Sequence, residues 1–351
     1  MKSTIGLLGL CVGLAVASGC GPNDLNGVSD QDIAAQWQNE EHDNGTELNG
    51  VELNGVSYNG VSYNGVSYNG VSYNGVSYNG VSYNGTSLKG TRADQSVEVD
   101  STAFTGVDMN GVLTNGNALA MKIVSVTWNS VAGQYLYTVK YYNADTYSWE
   151  WMCGLDGNSN PVAAMPIMKA YVHPNFNLDP NQNRFTFGCV NAAVAKCALW
   201  GYRPWEQNRA ETYSSTTKYR DLGLWHQSCQ RLVRADYCGN GVSHTRNGTP
   251  VDVYDGMGIQ NPDNVGGNTL EADWRPDGAY CIQHTRWGTA DSTLTPGETD
   301  LQYVQRVCPS RLAANDASCS NDSASTFYKA NGFNLTDQST RNLVRNQSYQ
   351  H

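Results

Sequence analysis

Eight cysteines in one stretch constrain this chain of 351 residues more than any other feature. They are Cys153, Cys189, Cys197, Cys229, Cys238, Cys281, Cys308 and Cys319. In an oxidising compartment an even set reads as a disulfide framework, here four bridges, and each bridge holds two segments within about 7 Å of one another. Eight cysteines allow about a hundred connectivities, so spacing alone pairs none of them. The metal reading is poor, because no Cys-x-x-Cys occurs and Cys281 with His284 forms one loose pair, whereas structural zinc uses closely spaced ligand pairs. Neither a metal nor a cofactor is expected.

The N-terminus supplies the compartment that the disulfide reading needs. Lys2, the apolar run from Ile5 to Val16 and the small residues Ala17, Ser18 and Gly19 form an export signal, and the run is too short to span a bilayer as a helix. Ser18-Gly19-Cys20 resembles the bacterial lipobox, in which the cysteine thiol is diacylated and becomes the mature N-terminus. The resemblance implies a signal peptide over residues 1–19 and a lipid anchor at Cys20. Gly21, where Asp would favour retention at the inner membrane, implies the outer membrane. Ala17 stands where Leu is usual, which keeps ordinary secretion as the alternative.

Between the anchor and the cysteines lies an arm of different character. From Gly21 to Gly116 twelve acidic residues face only Lys89 and Arg92, a balance of −10, while the rest of the chain is close to neutral. Such an arm is repelled by anionic headgroups and by nucleic acid, so it extends from its anchor and argues against a nucleic-acid partner. After an acidic tether over residues 20–45, a period of five runs through residues 46–90 and returns in degenerate form to residue 111. Its centre is six identical Val-Ser-Tyr-Asn-Gly units beginning at Val56. The units resemble pentapeptide repeats, which implies a four-sided β-solenoid. Against that reading, nine units make little more than two coils, and each buried Tyr would need a hydroxyl partner. A disordered stalk and a short solenoid both stay open for residues 46–116, with the tyrosines as candidate adhesive groups.

From residue 117 onward the composition is that of a folded domain, expected to fold without the arm. Alternation predicts strands over Met121–Trp128 and Tyr135–Tyr142, joined through Gly133 as a hairpin, with Val124, Val126 and Trp128 sharing one face. Further strands are predicted at Tyr147–Met152, Met165–Val172, Arg184–Phe187 and Ala279–Trp287. Helical periodicity predicts Val190–Trp200, Asp221–Ala235 and a third helix opened by Thr295-Pro296, with Leu301, Val304 and Cys308 on one face. Asn247-Gly248 between two short runs predicts a second hairpin. Strands outnumber helices without regular alternation. The fold class expected is α+β, a disulfide-braced domain with antiparallel hairpins and about three helices.

Several spaced blocks in this body carry a family resemblance. Phe185-Thr186-Phe187-Gly188-Cys189, Ala195-Lys196-Cys197, Gly201-Tyr202-Arg203-Pro204-Trp205, His226-Gln227-Ser228-Cys229 and Arg234-Ala235-Asp236-Tyr237-Cys238-Gly239 occur in that order, followed by Pro276-Asp277-Gly278-Ala279-Tyr280-Cys281. Together they resemble the ADYC domain of myxobacterial proteins, named for the tetrapeptide at Ala235–Cys238. The resemblance implies no assigned activity.

Two classes of function follow. The first is a non-catalytic surface lipoprotein, attached to the membrane through its lipid and binding a glycan or protein ligand, with His226, Arg234, Asp236, Tyr237 and His244 as the residues of a candidate ligand pocket. A purely structural reading of the same motif has Arg231 and Arg234 complementing the helix dipole and Asp236 holding the exit loop. The second class is a cell-envelope hydrolase, in which Cys189 at a helix start would be the nucleophile and His226 or His244 its base. No Gly-x-Ser-x-Gly elbow supports a serine enzyme.

Overall fold

The computed structural model describes residues 71–73, 76–92, 97–112, 118–144, 146–168, 185–245, 249–261, 268–288, 297–312 and 332–349. The signal peptide, Cys20, the acidic tether, the repeats before Val71, the Asn247-Gly248 turn and Cys319 lie outside them.

The first layer is a six-stranded antiparallel sheet. Its centre is the expected hairpin, β6 (Ala118–Asn129) with β7 (Gln134–Asn143). Along β7 the alternation is as expected, with Tyr137, Val139 and Tyr141 buried. Along β6 a register shift between Ile123 and Ser125 breaks the expected face: Met121, Ile123 and Val126 point inward, and Trp128 is half exposed at the strand end. β8 (Ser148–Trp151) and β9 (Ala164–Met168) both pair with β7, and β10 (Phe185–Cys189) pairs with β9. The remaining edge is β5 (Asp108–Val112), which pairs with β6 over five residue positions.

This edge lies on the arm side of the boundary expected at residues 116/117, and the core crosses with it. Tyr83, Leu88, Phe104, Val107 and Met109 pack with Met121, Ile123, Tyr137, Tyr141, Phe185 and Phe187. Ahead of β5, the last repeat units form antiparallel strands, β1 (Val71–Tyr73) and β2 (Val76–Tyr83), in one sheet with β3 (Leu88–Arg92) and β4 (Val97–Asp100). Over the described units the chain is therefore a set of hairpins, where a solenoid would stack its strands in parallel. The last repeat tyrosine solves its burial as expected, Tyr83 donating its hydroxyl to Gln134 Oε1 at 3.2 Å. Gly85 has φ 94° and a Cβ there would lie 2.8 Å from Trp205 Nε1, so this turn admits only glycine where the arm meets the body.

The second layer carries the cysteine-rich helices. α1 (Ala193–Leu199) is shorter than expected, and α2 (Gly223–Arg234) runs nearly the predicted length. Between them β11 (Arg209–Tyr213) and β12 (Thr216–Arg220) form a hairpin whose charged sequence gave no clean alternation. α2 lies on a four-stranded sheet ordered β13 (Val251–Asp255), β16 (Val344–Ser348), β14 (Thr269–Arg275) and β15 (Gly278–Ile282). Trp225, Cys229, Leu232 and Val233 on α2 meet Ala272, Trp274, Ala279 and Val344. The run after Asn247-Gly248 is a strand, but it pairs with the C-terminal β16 and not with residues 242–245, which are drawn toward the end of α2 by His244 N–H donating to Arg234 O. α3 (Asp300–Val307) starts at Thr299 with a capping box to Gln302, and it buries Tyr303 and Val304 while Leu301 is exposed.

Three bridges fix these layers. Cys153–Cys189 ties the exit of β8 to the end of β10, Cys197–Cys229 ties α1 to α2, and Cys238–Cys308 ties the loop after α2 to the end of α3. Cys281 is also disulfide-bonded, to a partner outside the described residues. Among the described residues no helix is long and apolar enough to cross a membrane.

Candidate functional site

The residues expected to form a pocket converge on the C-terminus of α2, except one. α2 ends at Ala235, which sits at φ 49° and turns the chain left-handed, while its amide and that of Asp236 return to Leu232 O and Arg231 O. The turn drives Asp236 into the interior, where it has no exposure. Its carboxylate accepts from Arg231 Nη1 at 2.5 Å, from the Gly241 amide at 3.0 Å and from the Asn240 amide at 3.1 Å. Arg234 reaches around the same loop, donating Nη2 to Gly241 O at 2.7 Å. Gly239 has φ 71°, and a Cβ there would fall 1.7 Å from Asp277 O, so the loop and the β14–β15 turn touch backbone to backbone.

Tyr237 continues the motif into the sheet. Its ring stacks on Trp274 at 5.5 Å, and its hydroxyl donates to Glu271 Oε1 at 3.1 Å and accepts from the Arg286 amide at 3.0 Å. Burial, and then the Glu271 charge, raise its pKa well above the usual tyrosine value, so it stays a neutral hydroxyl. Glu271 in turn receives Arg286 Nε on both oxygens, at 2.9 and 2.8 Å, and Asn346 Nδ2 at 2.6 Å. The guanidinium of Arg286 spends its other nitrogens on Val233 O, Leu232 O and Thr245 Oγ1. It thereby caps carbonyls of the last turn of α2, sharing Leu232 O with the Ala235 amide, as a buried cation at a helix C-terminus should. Arg286, Glu271 and Trp274 were not anticipated, because their partners lie across tens of residues and no local spacing announces them.

His244 joins this group and His226 does not. His244 is buried between Tyr237 and Tyr303, with Nδ1 3.0 Å from Asp300 Oδ1 and with Nε2 lacking a hydrogen-bond partner among the described residues. His226 faces α1 instead. Its Nε2 lies 2.9 Å from Val194 O and its Nδ1 3.0 Å from Gln230 Nε2, which sets the neutral tautomer with the proton on Nε2. Burial lowers its pKa to about 4, only partly offset by the carbonyl. Cys189, the candidate nucleophile, is bonded to Cys153 and has no thiol to ionise.

A cavity of about 240 Å³ opens beside this network. Trp200, Val233 and Val251 line its apolar side, and Lys196, Thr249 and Arg286 its polar side. None of these six belongs to the expected set, although Val233 and Arg286 also take part in the network that the motif builds. Among the described residues no group of three or more His, Cys, Asp or Glu side chains is placed to hold a metal.

The family model of the ADYC domain matches residues 101–288, from the short helical turn before β5 to the end of the Arg286 segment. The chain belongs to the ADYC domain family. The match begins sixteen residues before the boundary expected at residue 117, and the core reaches farther back, to Tyr83. No curated protein and no solved structure is significantly similar to it.

Proposed function

We propose that this ADYC-domain chain is a lipoprotein anchored through Cys20 in the bacterial outer membrane, whose disulfide-braced domain binds a partner and catalyses nothing. The observation that carries the reading is how completely the motif's polar groups are spent within the protein. Asp236 is used by Arg231 and two amides, Tyr237 by Glu271 and Arg286, and Arg286 by the carbonyls of α2. A general acid or nucleophile needs a proton or lone pair that substrate can reach, and these groups have theirs committed to the fold. The hydrolase alternative needs a thiolate at Cys189, which the Cys153 bond removes. What remains for function is surface and cavity, which suits a binding module held away from the membrane by an acidic arm.

Two measurements on the exported protein test this. Mass analysis of the mature N-terminus should find a diacylated Cys20, and Cys20→Ser should abolish incorporation of labelled palmitate; a soluble wild type beginning elsewhere refutes the anchor. Alkylation of the folded, unreduced protein should modify no cysteine of the domain. Labelling of Cys189 would restore the hydrolase and end the non-catalytic reading.

A further inference from the structure

The outward face of the six-stranded sheet carries an arrangement that the motif does not use. Register places Asp108, Lys122, Lys140 and Trp151 in one transverse row across β5, β6, β7 and β8. The neighbouring row sets Tyr142 opposite Trp149. Side chains two apart on a strand share a face about 7 Å from one another, and adjacent strands lie about 4.8 Å apart. Three aromatic rings, two lysines and Asp108 therefore share one patch. α1 covers this face farther along β7, where Leu136 packs against its apolar residues, while Lys140 and Tyr142 at the other end are partly exposed.

The patch is built. Lys122 Nζ lies 4.9 Å from the Trp149 ring centre and Lys140 Nζ 4.4 Å from that of Trp151, while Tyr142 and Trp149 meet edge to face at 5.7 Å. Asp108 pairs with Lys122 at 3.3 Å, which leaves the lysine 38% exposed. Beneath the patch, Glu150 points inward and accepts from Thr146 Oγ1, Tyr141 Oη, Asn143 Nδ2 and Ser148 Oγ, clamping the β7–β8 turn. Burial works against the Glu150 charge, but these four donors outweigh it and hold the carboxyl below its usual range, so the clamp stays ionised. At that turn Tyr147 is 81% exposed at φ 52°, a conformation a bulky side chain rarely adopts. Its ring is thereby displayed to water two residues before Trp149.

We propose that the face formed by Tyr142, Trp149 and Trp151 with Lys122 and Lys140 binds an anionic polysaccharide; the proposal rests on the binding-module reading above. Aromatic faces stack on the C–H faces of sugar rings, and rigid rings lose little conformational entropy in doing so. The lysines supply charge complementarity to uronate carboxylates. An ammonium resting on an exposed ring is weakly held and can exchange that contact for a carboxylate. A row of side chains crossing four strands fits an extended polymer, whereas the cavity beside Arg286, about 240 Å³, admits only a small molecule.

Affinity electrophoresis of the mature protein in gels containing polygalacturonate, with neutral dextran as control, tests the proposal. Polygalacturonate should retard the wild type, less so as salt rises, and dextran should not. Trp149→Ala with Trp151→Ala should weaken binding by about tenfold or more, in keeping with the loss of two stacking rings. Lys122→Gln with Lys140→Gln should remove the salt dependence, and this variant stands in if the tryptophan pair melts early. Unchanged retardation of both variants would overturn this surface and leave the binding-module reading intact. Failure of polygalacturonate and alginate alike to retard the wild type, or binding to phosphatidylglycerol vesicles in their place, would overturn the polysaccharide. The binding-module reading itself falls on the separate result of alkylated Cys189.

Discussion

Asp236→Ala separates a structural motif from a ligand site, because the two readings predict opposite costs. The variant removes the carboxylate that Arg231 Nη1 meets at 2.5 Å, the arginine side chain being 3% exposed. Breaking one side of a buried ion pair strands the other charge and costs about 3–5 kcal/mol. The Asn240 and Gly241 amides also lose their acceptor, but Asn240 is exposed and Gly241 partly so, and both amides can turn to water at small cost. The stranded guanidinium therefore dominates. Against a net stability of about 5–15 kcal/mol this is a large fraction, and at roughly 2–4 °C per kcal/mol it lowers the melting temperature by about 6–20 °C. Urea unfolding followed by tryptophan fluorescence is a suitable assay, since Trp225 and Trp274 are buried in this core. Arg231→Met added to Asp236→Ala removes the stranded charge and should recover at least about 2 kcal/mol of the loss. A ligand-binding Asp236 would show the reverse pattern, with stability nearly untouched. The structural argument is refuted if the single variant costs less than about 1 kcal/mol, or if the double variant is less stable than the single.

Two further outcomes follow from the core and from the buried histidine. A chain beginning at Asn117 loses β5 and the buried side chains of Tyr83, Leu88, Phe104, Val107 and Met109; at about 1.5–3 kcal/mol each the loss is roughly 8–15 kcal/mol, as large as the whole net stability. It should melt without cooperativity, and a sharp calorimetric transition would show that the arm side of the core is dispensable. His226 has a folded-state pKa of about 4, below the unfolded value, so the unfolded chain binds the extra proton first. Its contribution is whole above about pH 6.5 and is lost as pH falls toward about 4, an acid slope worth about 3 kcal/mol that His226→Gln should remove; an NMR titration of His226 centred near 6.5 would refute this.

The parts of the fold legible in sequence are those specified by neighbours. Alternation located β6 and β7 and periodicity located α2, whereas Thr295-Pro296 placed the start of α3 four residues too early, the helix being capped by Thr299 with Gln302. Errors cluster where distant chain decides. The Asn247-Gly248 signal placed a strand correctly and its partner wrongly, because β16 supplies both a hydrogen-bonding edge and Val344 to the core, whereas residues 242–245 are held by Arg234. The extra residue at the β6 bulge turned Val126 inward by an offset that no propensity encodes. The candidate site was half legible. Arg234, Asp236, Tyr237 and His244 come together because a single loop carries them, but the Glu271–Arg286 pair that completes their environment spans separate strands and loops.

Each letter of the family's tetrapeptide does a different mechanical task. Ala235 stops α2 in a left-handed turn, Asp236 neutralises Arg231 and gathers the loop amides, Tyr237 bridges to Glu271 on the sheet, and Cys238 bonds to Cys308 beyond α3. Removing any one would loosen the junction of helix, sheet and loop. The junction also reaches past the matched residues, since Cys308 and β16 both follow residue 288 and β16 lies between β13 and β14 in the sheet. A segment ending at residue 288 would leave β13 without its partner strand and Cys238 without its bond. The folding unit is therefore longer than the family match at its C-terminal end. A scaffold held together in this way leaves specificity to its surfaces. Among the described residues, two surfaces that combine apolar and cationic groups are the cavity beside Arg286 and the aromatic–lysine face of β6, β7 and β8.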